Sequence, residues 1–275
     1  MSDKSKKLKV GIVGCGAIGS SLAKYIVSDF SDRAELVSLY DIDVEKAYNL
    51  SSKFNKKLVA LNLEDLINKV DLVIEATKAD SSFEIAKKTI SASRDIIVMS
   101  VGGIIKQYKE LELKALENNA HIFIPSGAIC GIDGLKAASC GKINKVILTT
   151  KKPPKAFLGN PYLLKKKIRL DNIEQDTVIF EGSASLAVRA FPQNINVAAT
   201  LSIAGIGPEN SVVRIVASPN LTKNIHEIEI ESEAGRIVTR TENVVHPDNP
   251  KTSYLAVLSA IATLKQILEP IKIGT

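Results

Sequence analysis

The sequence predicts an α/β protein: an N-terminal doubly wound parallel sheet, followed by an α+β catalytic domain with an open mixed sheet. Three observations predict it. Residues 8–40 run strand, glycine turn, helix, strand. Apolar segments of buried-strand character then alternate with helical patterns as far as residue 124. Beyond residue 127 strand candidates dominate and the regular alternation stops. A chain of 275 residues, 45% of them hydrophobic, can bury the cores of two domains.

The first strand is Leu8 to Val13, and it turns at Gly14-Cys15-Gly16-Ala17-Ile18-Gly19, which fits G-x-G-x-x-G. A helix follows with Ile18, Leu22 and Ile26 on one stripe. The next strand, Leu36 to Tyr40, ends at Asp41. This order is the context that gives the glycine pattern its meaning as a Rossmann dinucleotide site. Gly14 permits the tight turn, Gly16 lets a pyrophosphate approach the backbone, and Gly19 lets helix and strand pack closely. Ala17 and Ile18 open the helix, whose free N–H groups and dipole favour phosphate. Asp41 is placed to accept hydrogen bonds from both ribose hydroxyls. It would repel a 2′-phosphate, so the expected cofactor is NAD, with NADP as the other possibility. Asp43 reads as the N-cap of the next helix.

Residues 44–54 read as that helix and 57–61 as a short strand. Asp71 to Ala76 is a buried strand, and Asp80 is placed to cap a helix running to Ser91. Asp95 to Val101 is another buried strand, broken by Gly102-Gly103. A helix is expected over 105–119 and a strand over 120–124. Ligands of such sheets bind beyond the carboxyl ends of the strands. Thr77-Lys78, Gly102-Gly103 and residues 125–128 should therefore line the cofactor site, with Thr77 among the contacts. In the second domain, a glycine-rich loop over 128–134 leads into a helix at 135–140. Strands are expected at 143–150, 176–181, 211–217, 225–231 and 236–242, and helices at 160–167, 183–190 and 195–205. The turn-rich stretch His246 to Pro250 precedes a long helix from Lys251 or Thr252 to Leu268. Its apolar stripe is read as Leu255, Leu258, Ile261, Ala262 and Leu268. The expected division is 1–127 with 247–275 as the dinucleotide domain, and 128–246 as the catalytic and oligomerisation domain.

The formal net charge of +6 has a local source. Lys151, Lys152, Lys155, Lys165, Lys166, Lys167 and Arg169 fall in one stretch that contains no acid. Few aromatics interleave with them, so the tract reads as solvated surface and no nucleic-acid partner is expected. The most apolar stretches, 195–206 and 255–264, are too short and too polar to span a bilayer. The basic N-terminus is followed by apolar residues that the glycine pattern already claims, which leaves no signal-peptide core. Cys15, Cys130 and Cys140 have no metal-ligand spacing and read as reduced thiols of a cytoplasmic protein without a metal site.

Three histidines bound the acid–base candidates. His121, inside the strand at 120–124, is expected to be structural. In Asn224-Ile225-His226-Glu227-Ile228-Glu229-Ile230, alternation puts His226 on the face of Ile228 and Ile230, with the glutamates opposite. It is the polar exception on an apolar face: a core histidine satisfied by a carbonyl, or a working one. His246 either reaches a site or is a solvated loop residue. Asn194 is either a helix cap or a group that orients a carboxamide such as nicotinamide's. Lys251, Thr252 and Ser253, at the expected helix start, are either caps or a site for a substrate carboxylate.

Five segments carry a family likeness: GIVGCGAIG, PSGAICGIDGL at 125–135, PQNINVAATLSIAG at 192–205, NIHEI at 224–228 and NPKTSYLAVLSAIATL at 249–264. Together they resemble the L-aspartate dehydrogenase family, along essentially the whole chain. The resemblance implies a Rossmann domain, a catalytic domain, and a C-terminal helix that returns to the first. It implies oxidation of L-aspartate with NAD(P) to iminoaspartate, then hydrolysis to oxaloacetate and ammonia, reversibly, with supply of NAD biosynthesis as another fate of iminoaspartate. Ala128 and Asn194 match cofactor-contacting positions, and His226 matches the catalytic histidine. Cys130 stands where a small residue such as alanine is usual. The implied partners are small molecules and further copies of the chain, a homodimer or higher. The alternatives are a related reductase and a regulator. Dihydrodipicolinate reductase carries a double-histidine motif that Ile225 and Glu227 exclude here, and the lysine-bearing pattern of homoserine dehydrogenase is missing. An NAD-responsive regulator would bind nucleic acid through 151–169.

Overall fold

In the computed structural model, which describes residues 6–192, 195–247 and 249–274, the chain forms two compact units. The first runs to Pro125 and includes Val257–Ile273; the second is Ser126–Ala256 with the end of the chain.

The first unit holds strands β1 (Leu8–Val13), β2 (Ala34–Tyr40), β3 (Leu72–Glu75), β4 (Asp95–Val98) and β5 (Ile122–Phe123). They form one sheet, all parallel, in the order β2-β1-β3-β4-β5. Helices α1 (Ala17–Ser28), α2 (Val44–Ser52), α3 (Leu63–Lys69), α4 (Ala79–Ser91) and α5 (Tyr108–Glu117) make the crossovers. Every residue of β3 is buried, as expected for a parallel strand covered on both faces. The strand order reverses between β1 and β3. The loops after those two strands therefore diverge and leave room for a ligand at their carboxyl ends.

The core gathers Ile12, Leu22, Ile26, Leu36, Leu39, Ile74 and Ile97, each worth roughly 1.5–3 kcal/mol when fully buried. A late helix numbered below, Tyr254–Leu268, adds Val257, Ala260, Ile261 and Leu264 to the same cluster. That corrects the expected stripe in part: Ile261 is buried and Leu258 and Leu268 pack half-buried against the cluster, while Leu255 and Ala262 are exposed. Spacings of three and four define the face, and the alanine-rich sequence allows more than one such reading.

Other local differences have simple causes. Residues 57–61 make only an isolated bridge, Val59 to Leu39. α3 went unpredicted because seven residues show little periodicity, although Asn62 caps it by accepting from the Asp65 N–H at 2.8 Å. Lys78 occupies the cap position of α4, and Asp80 lies in the first turn, where its charge still complements the helix dipole. No helix of the described residues is long and apolar enough to cross a membrane.

The second unit holds α6 (Ile132–Ala138), β6 (Ile143–Lys152), α7 (Pro161–Lys165), β7 (Thr177–Ser183), α8 (Ala184–Ala190), α9 (Asn196–Ala204), β8 (Val212–Ala217), β9 (Asn224–Ser232) and β10 (Gly235–Asn243). Its sheet is mixed, in the order β10-β9-β6-β8-β7; β6 and β8 run parallel and the other pairs antiparallel. One face is apolar: Val146 and Leu148, Ile228 and Ile230, Val213 and Ile215 are all buried. Phe157, Tyr162, Phe180 and Phe191 pack ring on ring at 5.5–6.0 Å in the same unit. The other face carries cross-strand ion pairs, including Lys145 to Glu231 at 3.3 Å, Lys151 to Glu227 at 3.5 Å and Arg214 to Glu181 at 2.6 Å. Such exposed pairs contribute only a few tenths of a kcal/mol each, at about 0–1 kcal/mol, but they fix which face is outward. Lys151, read as tract surface, is thus part of the sheet's charge ladder.

After β10 the chain forms a hairpin, β11 (Val245–His246) against β12 (Asn249–Ser253), and only then α10 (Tyr254–Leu268). The expected helix start at Lys251 or Thr252 is therefore wrong. Pairing with β11 holds residues that their capping chemistry alone would admit to a first turn.

Candidate active site

In the first unit the glycine turn has the geometry its pattern predicts. Gly14 sits at φ +98°, and a Cβ there would fall 2.4 Å from the Ala76 carbonyl oxygen. A Cβ on Gly19 would lie 2.0 Å from the carbonyl oxygen of Gly14. Gly16 is the opposite case: it caps α1 with an ordinary φ of −74°, and nothing lies within 4 Å of its would-be Cβ. Two glycines are therefore required by protein packing, and the third leaves open space over the helix N-terminus, where Ala17 and Ile18 begin α1. A pyrophosphate fits that cradle.

Asp41 follows β2, and its carboxylate braces the turn. One oxygen accepts from the Cys15 N–H at 2.7 Å and the other from the Asp43 N–H at 2.9 Å. Each oxygen keeps a further acceptor site for a ribose hydroxyl. Burial, and the Asp41 charge after it, push the Cys15 thiol up to about 12, so it stays protonated and inert.

Glu75, which sequence reasoning passed over, is completely buried at the end of β3. Its Oε1 accepts from the Thr77 N–H at 2.7 Å and the Thr77 hydroxyl at 2.6 Å, and its Oε2 from the Ser100 N–H at 2.9 Å. The Ser100 hydroxyl returns to the Thr77 carbonyl at 2.7 Å. One carboxylate thereby joins the loops after β3 and β4 and fixes Thr77. The available signal was an acid closing the apolar run Asp71 to Ala76.

In the second unit, Ala128 is buried in a turn between Gly127 and Gly131, at φ +69° and +89°. Its carbonyl accepts from the Thr241 hydroxyl at 3.0 Å and the Asn243 amide at 2.9 Å. The Asn243 side-chain oxygen accepts from the Ser253 hydroxyl at 2.9 Å. Turn, β10 and β12 are joined in one polar network.

His226 adjoins it. The residue is 6% exposed and stands between Thr241 of β10 and Thr150 of β6 in the sheet register. Its Nδ1 is hydrogen-bonded to the Thr150 hydroxyl at 3.0 Å. Burial, reinforced by the Lys152 charge, lowers its pKa to about 3, so the ring is neutral at physiological pH. Lys152, at the end of β6, is pushed down to about 8 by burial. A neutral imidazole beside a half-buried ammonium can take a proton from a reacting group and hold an anion.

The other candidates separate clearly. His121 lies outside the short β5 with its side chain 68% exposed, 3.1 Å from the Asp95 carboxylate; it is not buried in a strand. His246 is neither a solvated nor a loop residue: it is buried in β11 with its ring edge-on to Tyr254 at 5.4 Å. Thr252 and Ser253 belong to β12. The Tyr254 N–H that opens α10 is engaged by the Val244 carbonyl at 3.0 Å, so the helix-terminus argument for a carboxylate there loses one donor. The backbone of Lys251 is in the same strand, and Asn194 lies outside the described residues. Thr150, Thr241, Asn243 and Lys152 were not predicted, because only strand register brings them to His226 and Ala128.

Residues 133–267 match the family described as aspartate dehydrogenase, C-terminal, and residues 14–125 match the homoserine dehydrogenase NAD-binding domain. An L-aspartate dehydrogenase of Methanosarcina mazei is 46% identical over 98% of this chain and 100% of its own length. One from Methanococcoides burtonii is 47% identical with the same coverage. Among solved structures, aspartate dehydrogenase from Thermotoga maritima superposes with a TM-score of 0.76 at 25% identity, covering 98% of this chain and all of the other.

Proposed function

The chain belongs to the L-aspartate dehydrogenase family, and on that premise we propose how its two units divide the work. The enzyme is an oxidoreductase that uses a pyridine nucleotide to deaminate L-aspartate. The α C–H bond breaks with its electron pair leaving as hydride, and the amine loses a proton, which gives iminoaspartate. Water adds to the imine carbon, and loss of ammonia gives oxaloacetate. The bound nicotinamide supplies the hydride acceptor.

The first unit holds the cofactor through Gly14, Gly16, Ala17, Ile18 and Gly19, with Asp41 on the ribose and Thr77 held in place by Glu75. Ala128 and Asn194 are the further cofactor contacts that the family resemblance implies. NAD is the preferred cofactor because the Asp41 carboxylate opposes a 2′-phosphate; NADP is the weaker alternative. Lys251, Thr252 and Ser253 of β12 take one substrate carboxylate. The protein works as a cytoplasmic homo-oligomer, in the simplest case a two-fold dimer. Three free cysteines, one buried and two exposed, agree with a reducing compartment. Iminoaspartate leaving before hydrolysis would supply NAD biosynthesis.

His226 activates the water that adds to the imine. The observation that carries this role is its ring geometry. Thr150 fixes Nδ1, which assigns Nε2 to the reacting proton, and the ring is neutral and able to accept it. Two substrate carboxylates close by would raise its basicity toward the working range. The test is NADH formation from L-aspartate by wild type, His226→Ala and His246→Ala, with NADH binding followed by fluorescence. His226→Ala should lose about 10²–10⁴-fold in kcat and keep its affinity for NADH. Loss in His246→Ala alone would overturn the assignment.

A further inference from the structure

Resting on the assignment of His226, we propose that Lys152 is a second substrate-binding residue, whose ammonium takes one carboxylate of a dicarboxylic amino acid at the His226 face of the sheet. Strand geometry places it there. Thr150 and Lys152 are two residues apart in β6 and so share a face. Thr150 stands opposite His226 and holds its ring, while Lys151 pairs in register with Ile225. Lys152 therefore lies one step beyond Thr150 on the face that carries the imidazole, close enough for its charge to act on the ring.

Its neighbour shows the contrast. Lys151 turns to the outer face, where Asp176 and Glu227 meet it at 3.4 and 3.5 Å. Glu229 and Glu231 share that outer face, across from Lys145. The sheet thus sorts two adjacent lysines: one into a structural ion-pair ladder, the other beside the histidine. Across from Lys152 in β8 is the completely buried Ala217, so the cation is set against an apolar floor.

A half-buried cation next to a buried imidazole is a costly pairing for the fold. Burial works against the charged form of each, and the Lys152 charge further disfavours protonation of His226, which is the pattern that functional sites retain. An arriving carboxylate resolves it. It stabilises the ammonium and cancels the charge that depresses His226, so substrate binding prepares the ring to accept a proton. L-aspartate carries two carboxylates, and β12 with Lys152 gives each one a place.

The experiment compares wild type, Lys152→Met, Lys152→Arg and His226→Ala for kcat and KM with L-aspartate, inhibition by succinate, and NADH binding. Succinate is a dicarboxylate that cannot be oxidised at an amine, so it reports carboxylate recognition without chemistry. Loss of one charge-assisted contact should raise KM and the succinate inhibition constant together, by about 10- to 100-fold in Lys152→Met, with NADH binding unchanged. Lys152→Arg should recover part of the loss. If succinate inhibition and KM stay at wild-type values in Lys152→Met, the proposal is overturned, whatever His226→Ala does. If His226→Ala keeps full kcat while Lys152→Met loses succinate, the histidine role fails and the carboxylate site stands. Should Lys152→Met not fold, Lys152→Gln and Lys152→Arg carry the same comparison, and an unchanged succinate constant in both would refute it.

Discussion

Folding keeps His226 neutral, and this makes the stability of the second unit depend on pH in a calculable way. Burial, with Lys152 as the smaller cause, lowers the pKa from 6.5 to about 3. In the unfolded chain the same ring binds a proton below about pH 6.5. Between those values the unfolded state holds more protons than the native state, so stability rises with pH across the window. The contribution is complete above the unfolded pKa and drains away as the solution is acidified toward pH 3. Titration arithmetic puts the loss at about 0.2 kcal/mol at pH 7 and about 2 kcal/mol at pH 5. His226→Gln removes the titrating group and keeps a side chain able to bond Thr150. Carboxylates that titrate in the same range are common to both proteins and cancel in the comparison. Amide hydrogen exchange in β6 and β9 reads the opening free energy of this unit by itself. Between pH 7 and pH 5 the wild type should lose about 2 kcal/mol more than His226→Gln. Equal losses, within about 0.5 kcal/mol, would show that the ring is protonated or solvated in the folded state, and the neutral-base argument would fall with it.

The glycine turn gives a paired test. Gly16→Ala should leave the thermal midpoint of the cofactor-free protein within about 1 °C and weaken NADH binding roughly tenfold or more, because the new methyl enters open space meant for phosphate. Gly19→Ala should fail to give a stable first unit, since its Cβ would meet a backbone oxygen at 2.0 Å; a well-folded Gly19→Ala with normal NADH affinity would contradict the packing. Asp41→Asn removes the charge and keeps a side-chain oxygen for the Cys15 N–H. Its kcat/KM with NADP should rise from about 5-fold upward, matching at least about 1 kcal/mol of relieved repulsion, and no gain with NADP would refute the role of that carboxylate.

The fold was legible where the signal is local. Alternating buried strands and helices announce a parallel sheet, because a strand covered on both faces must be apolar throughout. The three glycines declared separate tasks, and each has the surroundings that its task requires. His226 stood out because side chains in a strand alternate with period two, so one polar residue on an apolar face is visible without any partner. The errors fell where pairing between distant segments decides. Residues 249–253 hold proline, threonine and serine that suit a helix start, yet pairing with β11 makes them a strand. The stripe of α10 was misread because its alanines leave the apolar face ambiguous until a core selects it.

The sequence by itself determined the fold class, and it singled out the glycine turn and His226 as candidates, since these follow from residue type and spacing along one segment. Only the tertiary structure decided what surrounds that histidine. Thr150 is 76 residues away in the chain, and Asn243 reaches Ala128 across 115. Cross-strand register is a global property of the sheet. A shift of one residue would turn Lys152 outward and Lys151 inward, and no local pattern distinguishes the two.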